Sequence, residues 1–142
     1  MRQLFHCIML IAILTACKHD QEKASQDSLI ALDTSFAAFF TKFNTDSVFQ
    51  KAPVEFPLPH TILNNKYDPI LKKIPAKDWK FLDLSYNKEN ANLQTDAYYQ
   101  EIAIRNDNNN IIYVRFLGIE NGIHIEFTFK KVNGQWKLVY WE

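Results

Sequence analysis

The last third of the chain constrains the fold most. Tyr98–Arg105, Ile111–Ile119, Ile123–Val132 and Gln135–Trp141 are rich in β-branched and aromatic residues and are separated by turn signals. A period of two puts one set of side chains on each face, so each run reads as a half-buried strand. Asn121-Gly122 and Asn133-Gly134 read as two-residue turns, because Asn and Gly accept the positive φ of a tight hairpin. Gly118, Gly122 and Gly134 are the only glycines, and all lie here. The expectation is a four-stranded antiparallel meander.

Loop length then sets register. Two-residue loops put Phe129 opposite Leu138 and Phe127 opposite Tyr140; they also put Phe116 opposite Phe127 and Val114 opposite Phe129. A five-residue loop, Asn106–Asn110, puts Ile104 opposite Ile112 and Ile102 opposite Val114. It also sets Glu101 against Arg115 on the other face. The inner face then carries Tyr98, Gln100, Ile102, Ile104, Ile112, Val114, Phe116, Ile125, Phe127, Phe129, Trp136, Leu138 and Tyr140. Tyr113, Leu117, Val139 and Trp141 fall on the outer face among charged residues.

Something must cover that inner face. Leu29, Leu32, Phe36, Phe39, Phe40 and Phe43 recur at helical spacing and predict a helix over about 28–43 with one broad apolar side. Asn44 and Thr45 are candidate caps for a second short helix carrying Val48 and Phe49. Pro53, Pro57 and Pro59 exclude regular helix, and Val54–Leu58 reads as an edge strand or extended segment. Asp68-Pro69 reads as a helix start. Lys80–Tyr86 reads as extended and Asn87–Asp96 as polar loop. The fold class is α+β: N-terminal helices packed on a curved antiparallel meander, in one domain over 28–142.

The other end of the chain concerns address rather than fold. Arg2 precedes an apolar run, Leu4–Leu14, which has the order of a secretory signal and is too short to span a bilayer as a helix. Leu14-Thr15-Ala16-Cys17 resembles the bacterial lipobox. That resemblance implies cleavage after Ala16, a signal peptide over 1–16 and acylation of Cys17. Two or three acyl chains give a durable anchor, each buried methylene adding about 0.8 kcal/mol. Residues 17–27 read as the lipidated cysteine and a polar tether. The expected location is the cell envelope, lipid-anchored in the outer membrane.

The same cut removes Cys7, and the lipid consumes Cys17, so the mature domain has no thiol for catalysis, disulfide or metal. The chain's 16 bases and 16 acids balance, and losing Arg2 leaves one net negative charge. Nucleic-acid binding has no electrostatic support in that composition.

Helices followed by an aromatic-rich meander resemble the nuclear transport factor 2-like cone. More narrowly, Phe36-Ala-Ala-Phe-Phe-Thr-Lys-Phe43, Asp46-Ser-Val-Phe-Gln50, Phe56-Pro-Leu58, Lys77-Asp-Trp79-Lys80 and Gly134-Gln-Trp136 resemble Bacteroidetes lipoproteins of domain-of-unknown-function 4348 type. These are packing and turn residues, so the resemblance implies fold and lineage more than activity.

Enzymes on cone folds resemble one another in holding an Asp base or Asp/His pair inside the cone. The expected inner face offers only Tyr98, Gln100 and Tyr140 as polar groups, none a base near neutrality. His124 and Glu126 share one strand face but lack a third ligand, so no metal site is assigned. No cofactor motif occurs. The leading expectation is a non-catalytic module that binds a small apolar ligand or an envelope protein. Tyr98, Gln100, Trp136 and Tyr140 are its pocket candidates; Tyr113, Leu117, Val139 and Trp141 are its interface candidates. A small isomerase-, dehydratase- or hydrolase-like enzyme and a filled-core interaction protein are the alternatives.

Overall fold

The computed structural model describes residues 34–104 and 110–142. The expected signal segment, Cys17, the expected tether, the start of the expected helix and most of the 106–110 loop lie outside them.

Two helices come first, α1 (Thr34–Thr45) and α2 (Ser47–Lys51). The cap of α2 is Asp46, not Asn44 or Thr45: its carboxylate accepts from the Val48 and Phe49 amides at 3.0 and 2.8 Å. Its extended backbone leaves that side chain beside the orphan donors of the first turn.

Six strands follow: β1 (Leu58–Leu63), β2 (Pro69–Ile74), β3 (Tyr98–Ile104), β4 (Ile111–Gly118), β5 (His124–Val132) and β6 (Gln135–Trp141). They form one sheet in the order β2-β1-β6-β5-β4-β3. The expected meander is therefore extended by a β1–β2 hairpin, joined to β6 through a parallel pair, His60 with Trp141. Pro69 opens an edge strand rather than a helix, a place where its missing N–H costs nothing.

The β3–β4 register is as expected: Ile104 opposes Ile112, Ile102 opposes Val114 and Glu101 opposes Arg115. The β4–β5 register differs by two residues. Phe116 opposes Ile125 and Val114 opposes Phe127. The loop is Ile119–Gly122, closed by the Gly118 amide on the Ile123 carbonyl at 2.8 Å. Asn121 folds its side chain back, accepting from the Ile123 amide and donating to the Ala97 carbonyl at 2.8 Å. A Cβ on Gly118 would meet the Asn121 Oδ1 at 1.7 Å, so a side chain there would break this arrangement. An even shift keeps every side chain on its expected face.

The β5–β6 hairpin turns at Asn133-Gly134, both at positive φ, as expected. Phe129 opposes Leu138, but Thr128 then opposes Tyr140 and Phe127 opposes Trp141. Val139 is a bulge residue, and an odd shift reverses faces beyond it. Trp141 is therefore on the inner face and Tyr140 on the outer, the reverse of the expectation.

The core sits where α1 crosses β5 and β6. Phe129 is fully buried beneath Phe36, Phe39, Phe40 and Phe43, with ring centroids 5.4–5.9 Å away. Trp136 meets Phe36 edge-on at 5.0 Å and donates its Nε1–H to the Ser35 Oγ at 3.1 Å. Each such fully buried large side chain contributes roughly 1.5–3 kcal/mol.

Candidate functional site

Two elements meet the inner sheet face, and they divide it into three regions. The first is α1, whose rings close the region over Ile112, Phe129, Trp136 and Leu138, all buried. Trp136, a pocket candidate, is thus part of the core.

The second is the segment from Phe81 to Asn92, extended at first and ending in a short 3₁₀ helix, Lys88–Asn92. Two glutamines hold it. Gln50 is fully buried; its Nε2 donates to the Phe43 and Leu82 carbonyls at 2.9 and 2.6 Å, and its Oε1 accepts from the Leu82 amide at 2.8 Å. Gln50 thereby stands in for a strand partner. Gln100 donates to the Leu84 carbonyl at 2.8 Å and buries Leu84 against the sheet. Tyr98 is engaged twice: its hydroxyl accepts from the Asn90 Nδ2 at 2.8 Å, and its carbonyl accepts from the Tyr86 hydroxyl at 3.3 Å. Tyr98 and Gln100 do face inward, and the chain's own 81–92 segment occupies them.

The third region has no such cover. Trp141 stacks on Phe127 at 5.4 Å and on His60 at 4.0 Å, making a three-ring stack across β5, β6 and β1. Ile125 lies on the same face and is 38% exposed. Beyond the stack, Ile62 opposes Ile70 and His60 opposes Lys72 on that face of the hairpin. A shallow, open depression of about 520 Å³ begins there, lined by Ile62, Asn64, Lys66, Asp68, Ile70 and Lys72 among others. Burial and the nearby Lys72 ammonium hold the His60 imidazole below its ordinary pKa of 6.5, which favours its neutral form.

From sequence, His60 is one of the polar groups that the 53–79 segment could supply, with nothing to aim it inward. The β1–β2 pairing that brings His60 inward rests on a Pro-flanked strand, and Trp141 arrives only through the Val139 bulge.

On the outer face, Tyr140 is tied by its hydroxyl to the Thr61 Oγ1 at 2.7 Å. Tyr113 is buried, and the Arg115 guanidinium lies 4.8 Å above its ring. Arg115 bridges three strands, donating to Glu126 at 2.6 Å and Glu101 at 3.0 Å, and both partners raise its pKa further. Leu117 and Val139 are half-buried on either side. The four interface candidates therefore do not form one patch. Among the described residues, no three metal-ligating side chains converge.

Comparison with known proteins gives the fold a lineage. Residues 11–142 match the family described as domain of unknown function DUF4348. No curated protein matches. Similar solved structures include an NTF2-like protein from Bacteroides fragilis, at 20% identity and a TM-score of 0.50 over 73% of this chain. This chain spans 44% of that protein's length. A cystatin-like protein from Bacteroides caccae is 20% identical, with a TM-score of 0.54 over 75% of this chain and 73% of the other. At such identity the likeness speaks for fold alone. The family match covers most of the sequence, and the chain belongs to the DUF4348 family, with a nuclear transport factor 2-like cone fold.

Proposed function

We propose that this protein is a lipid-anchored binding module of the bacterial cell envelope, held at a membrane through an acylated Cys17. It binds rather than catalyses. One observation carries the second half of this reading: the two polar side chains that face the enclosed part of the cone, Tyr98 and Gln100, are consumed by the chain's own 81–92 segment. What remains open on the inner face is the shelf of Trp141, Ile125 and neutral His60. Such a shelf suits an apolar ligand or the apolar side chain of an envelope protein, with His60 and the facing Lys72 as polar contacts.

Native mass measurement of the purified chain tests this. A mass excess that disappears on denaturation, and that is lost in Trp141→Ala, is the expected result. A bare chain under both conditions removes the small-ligand form of the reading. Palmitate labelling of wild type against Cys17→Ala tests the anchor; labelling that survives the substitution sinks it.

His60 also supports a second reading, a small cone-fold enzyme, because a neutral imidazole on an open inner face is a candidate base. His60→Gln separates the two. A binding module keeps its ligand with reduced affinity, whereas an enzyme binds normally and loses turnover.

A further inference from the structure

Ten large apolar side chains are exposed among the described residues, and four of them, Leu63, Tyr67, Ile70 and Leu71, fall within the nine residues of the β1–β2 turn. Leu63 and Leu71 are each 61% exposed and Tyr67 is 83% exposed. They do not share a face. Thr61 opposes Leu71 and Leu63 opposes Pro69 on one side of the hairpin; Ile62 opposes Ile70 on the other. Tyr67 stands at the end. A protein partner laid on either face would leave the other wet. A medium that surrounds the tip covers all of it.

The tip is also built to hold its shape. The Asn64 Oδ1 accepts from the Lys66 amide at 2.7 Å and the Asp68 amide at 2.9 Å. The Asn64 Nδ2 donates to the Asp68 carboxylate at 3.1 Å. Main-chain bonds link Asn64 with Tyr67 and Asp68 at 3.0 Å each. This lattice keeps Tyr67 at φ 63°, a conformation a bulky side chain rarely adopts, with its ring in solvent. It also engages Asp68, the one acid of the tip.

Cations stand around the apolar band. Lys72 lies on the inner face and Lys73 on the outer, directly behind Ile70 and Leu71, and Lys66 is at the turn. At about 3.3 Å per residue, the stretch from Leu71 to the turn is roughly 10 Å deep. That matches the depth at which interfacial segments seat apolar groups below lipid headgroups while lysines reach back to the phosphates.

We infer that the β1–β2 hairpin tip docks into the surface of an anionic lipid bilayer, seating Leu63, Tyr67, Ile70 and Leu71 below headgroups that Lys66, Lys72 and Lys73 contact. The contact is a second one, separate from acylation. It rests on the envelope reading only in setting the chain beside a membrane. Docking would turn the Trp141–His60 shelf, on the same end of the sheet, toward the membrane.

The test uses the full chain with Cys7→Ser and Cys17→Ser, so that it does not depend on lipidation. A nitroxide is placed at the exposed Asn65 through Asn65→Cys, and in a control at Lys88 through Lys88→Cys. Power-saturation EPR then reads the depth of each label on phosphatidylglycerol/phosphatidylethanolamine vesicles and on phosphatidylcholine vesicles. The tip label is expected to gain oxygen access and lose access to a water-soluble nickel chelate on the anionic vesicles, while the control label stays aqueous. Leu63→Asp/Leu71→Asp returns the tip label to water; both positions are exposed, so thermal unfolding is expected to be unchanged. Lys72→Gln and Lys73→Gln each lower the immersed-to-aqueous ratio by about fivefold. A tip label that stays aqueous on the anionic vesicles overturns the proposal. Equal immersion on phosphatidylcholine overturns its electrostatic half. Spin–spin broadening that grows with protein concentration in the absence of vesicles would assign the tip to a second copy of the chain and overturn it as well.

Discussion

Phe129 and Trp141 both project from the inner face of the sheet, on neighbouring strands. Phe129 is fully buried under four rings of α1. Trp141 lies between Phe127 and His60 and is only half-buried. Their chemistry is alike; what differs is the element above them. The twelve residues of α1 rise about 18 Å, enough to close one part of a six-stranded sheet and not the rest. The closed part is the domain's structural capital. The open part, from Trp141 to the β1–β2 tip, keeps apolar side chains in solvent that packing alone does not require.

If that division is right, equal truncations should give unequal losses. Phe129→Ala removes the ring on which four others converge, and should cost about 3–5 kcal/mol in urea unfolding. Leu71→Ala, at the open end, should stay within about 0.5 kcal/mol of wild type. Comparable losses at both sites would mean that the hairpin is covered in the folded protein, and the division would fail.

Gln50 sharpens the comparison, because it decides why the β3 side of the cone is closed at all. Gln50→Ala leaves the Leu82 amide and two carbonyls without partners in a buried place, which should cost about 1–3 kcal/mol. The same change should speed hydrogen exchange at the Leu82 amide far more than at the Phe129 amide. Uniform acceleration would mean that the 81–92 segment and the sheet open together, as one unit.

This line between closed and open regions also marks what was legible in the sequence. The meander, its faces and the Phe helix follow from periodicity, and the β3–β4 register followed from hydrophobic matching with the Glu101–Arg115 pair as support. The departures arose where a side chain or an extra residue did the work of a turn. Asn121-Gly122 has the composition of a two-residue turn, yet Asn121 spends its amide on Ala97 and closes a longer loop over Gly118. Val139 gives no compositional sign of a bulge, and one unpaired residue was enough to exchange the faces of Tyr140 and Trp141. Asp68-Pro69 suits a helix start equally well by local preference; pairing with β1 decided for a strand. The candidate site lies at this end of the sheet, where tertiary pairing overrides local signals, and so His60 was not placed from sequence.

The stack itself offers a smaller effect. In a double-mutant cycle, His60→Ala and Trp141→Ala should show a coupling of about 0.5–1.5 kcal/mol, the range for aromatic pairs. Independent effects would mean that the two rings share the sheet edge without supporting each other, and the shelf would lose its floor.

The smallest effect is the dependence on pH, and its sign carries the most information. Burial first, and Lys72 second, lower the His60 pKa below 6.5. Between the folded and unfolded values the unfolded chain binds more protons, so stability rises with pH across that window. Acidification from pH 7.5 toward 5 should therefore destabilise wild type slightly. His60→Phe should abolish that part of the slope, and Lys72→Met should shrink it. Asp83 does not confuse the measurement: the Ser85 hydroxyl and amide lower its pKa below 3.8, so its contribution is lost only in more acidic solution. A slope of the opposite sign would mean that the folded state favours imidazolium, held against the face of Trp141 as a cation–π pair. The shelf would then carry two positive charges beside its apolar floor, and its preferred ligand would change from a neutral apolar molecule to an amphiphilic anion.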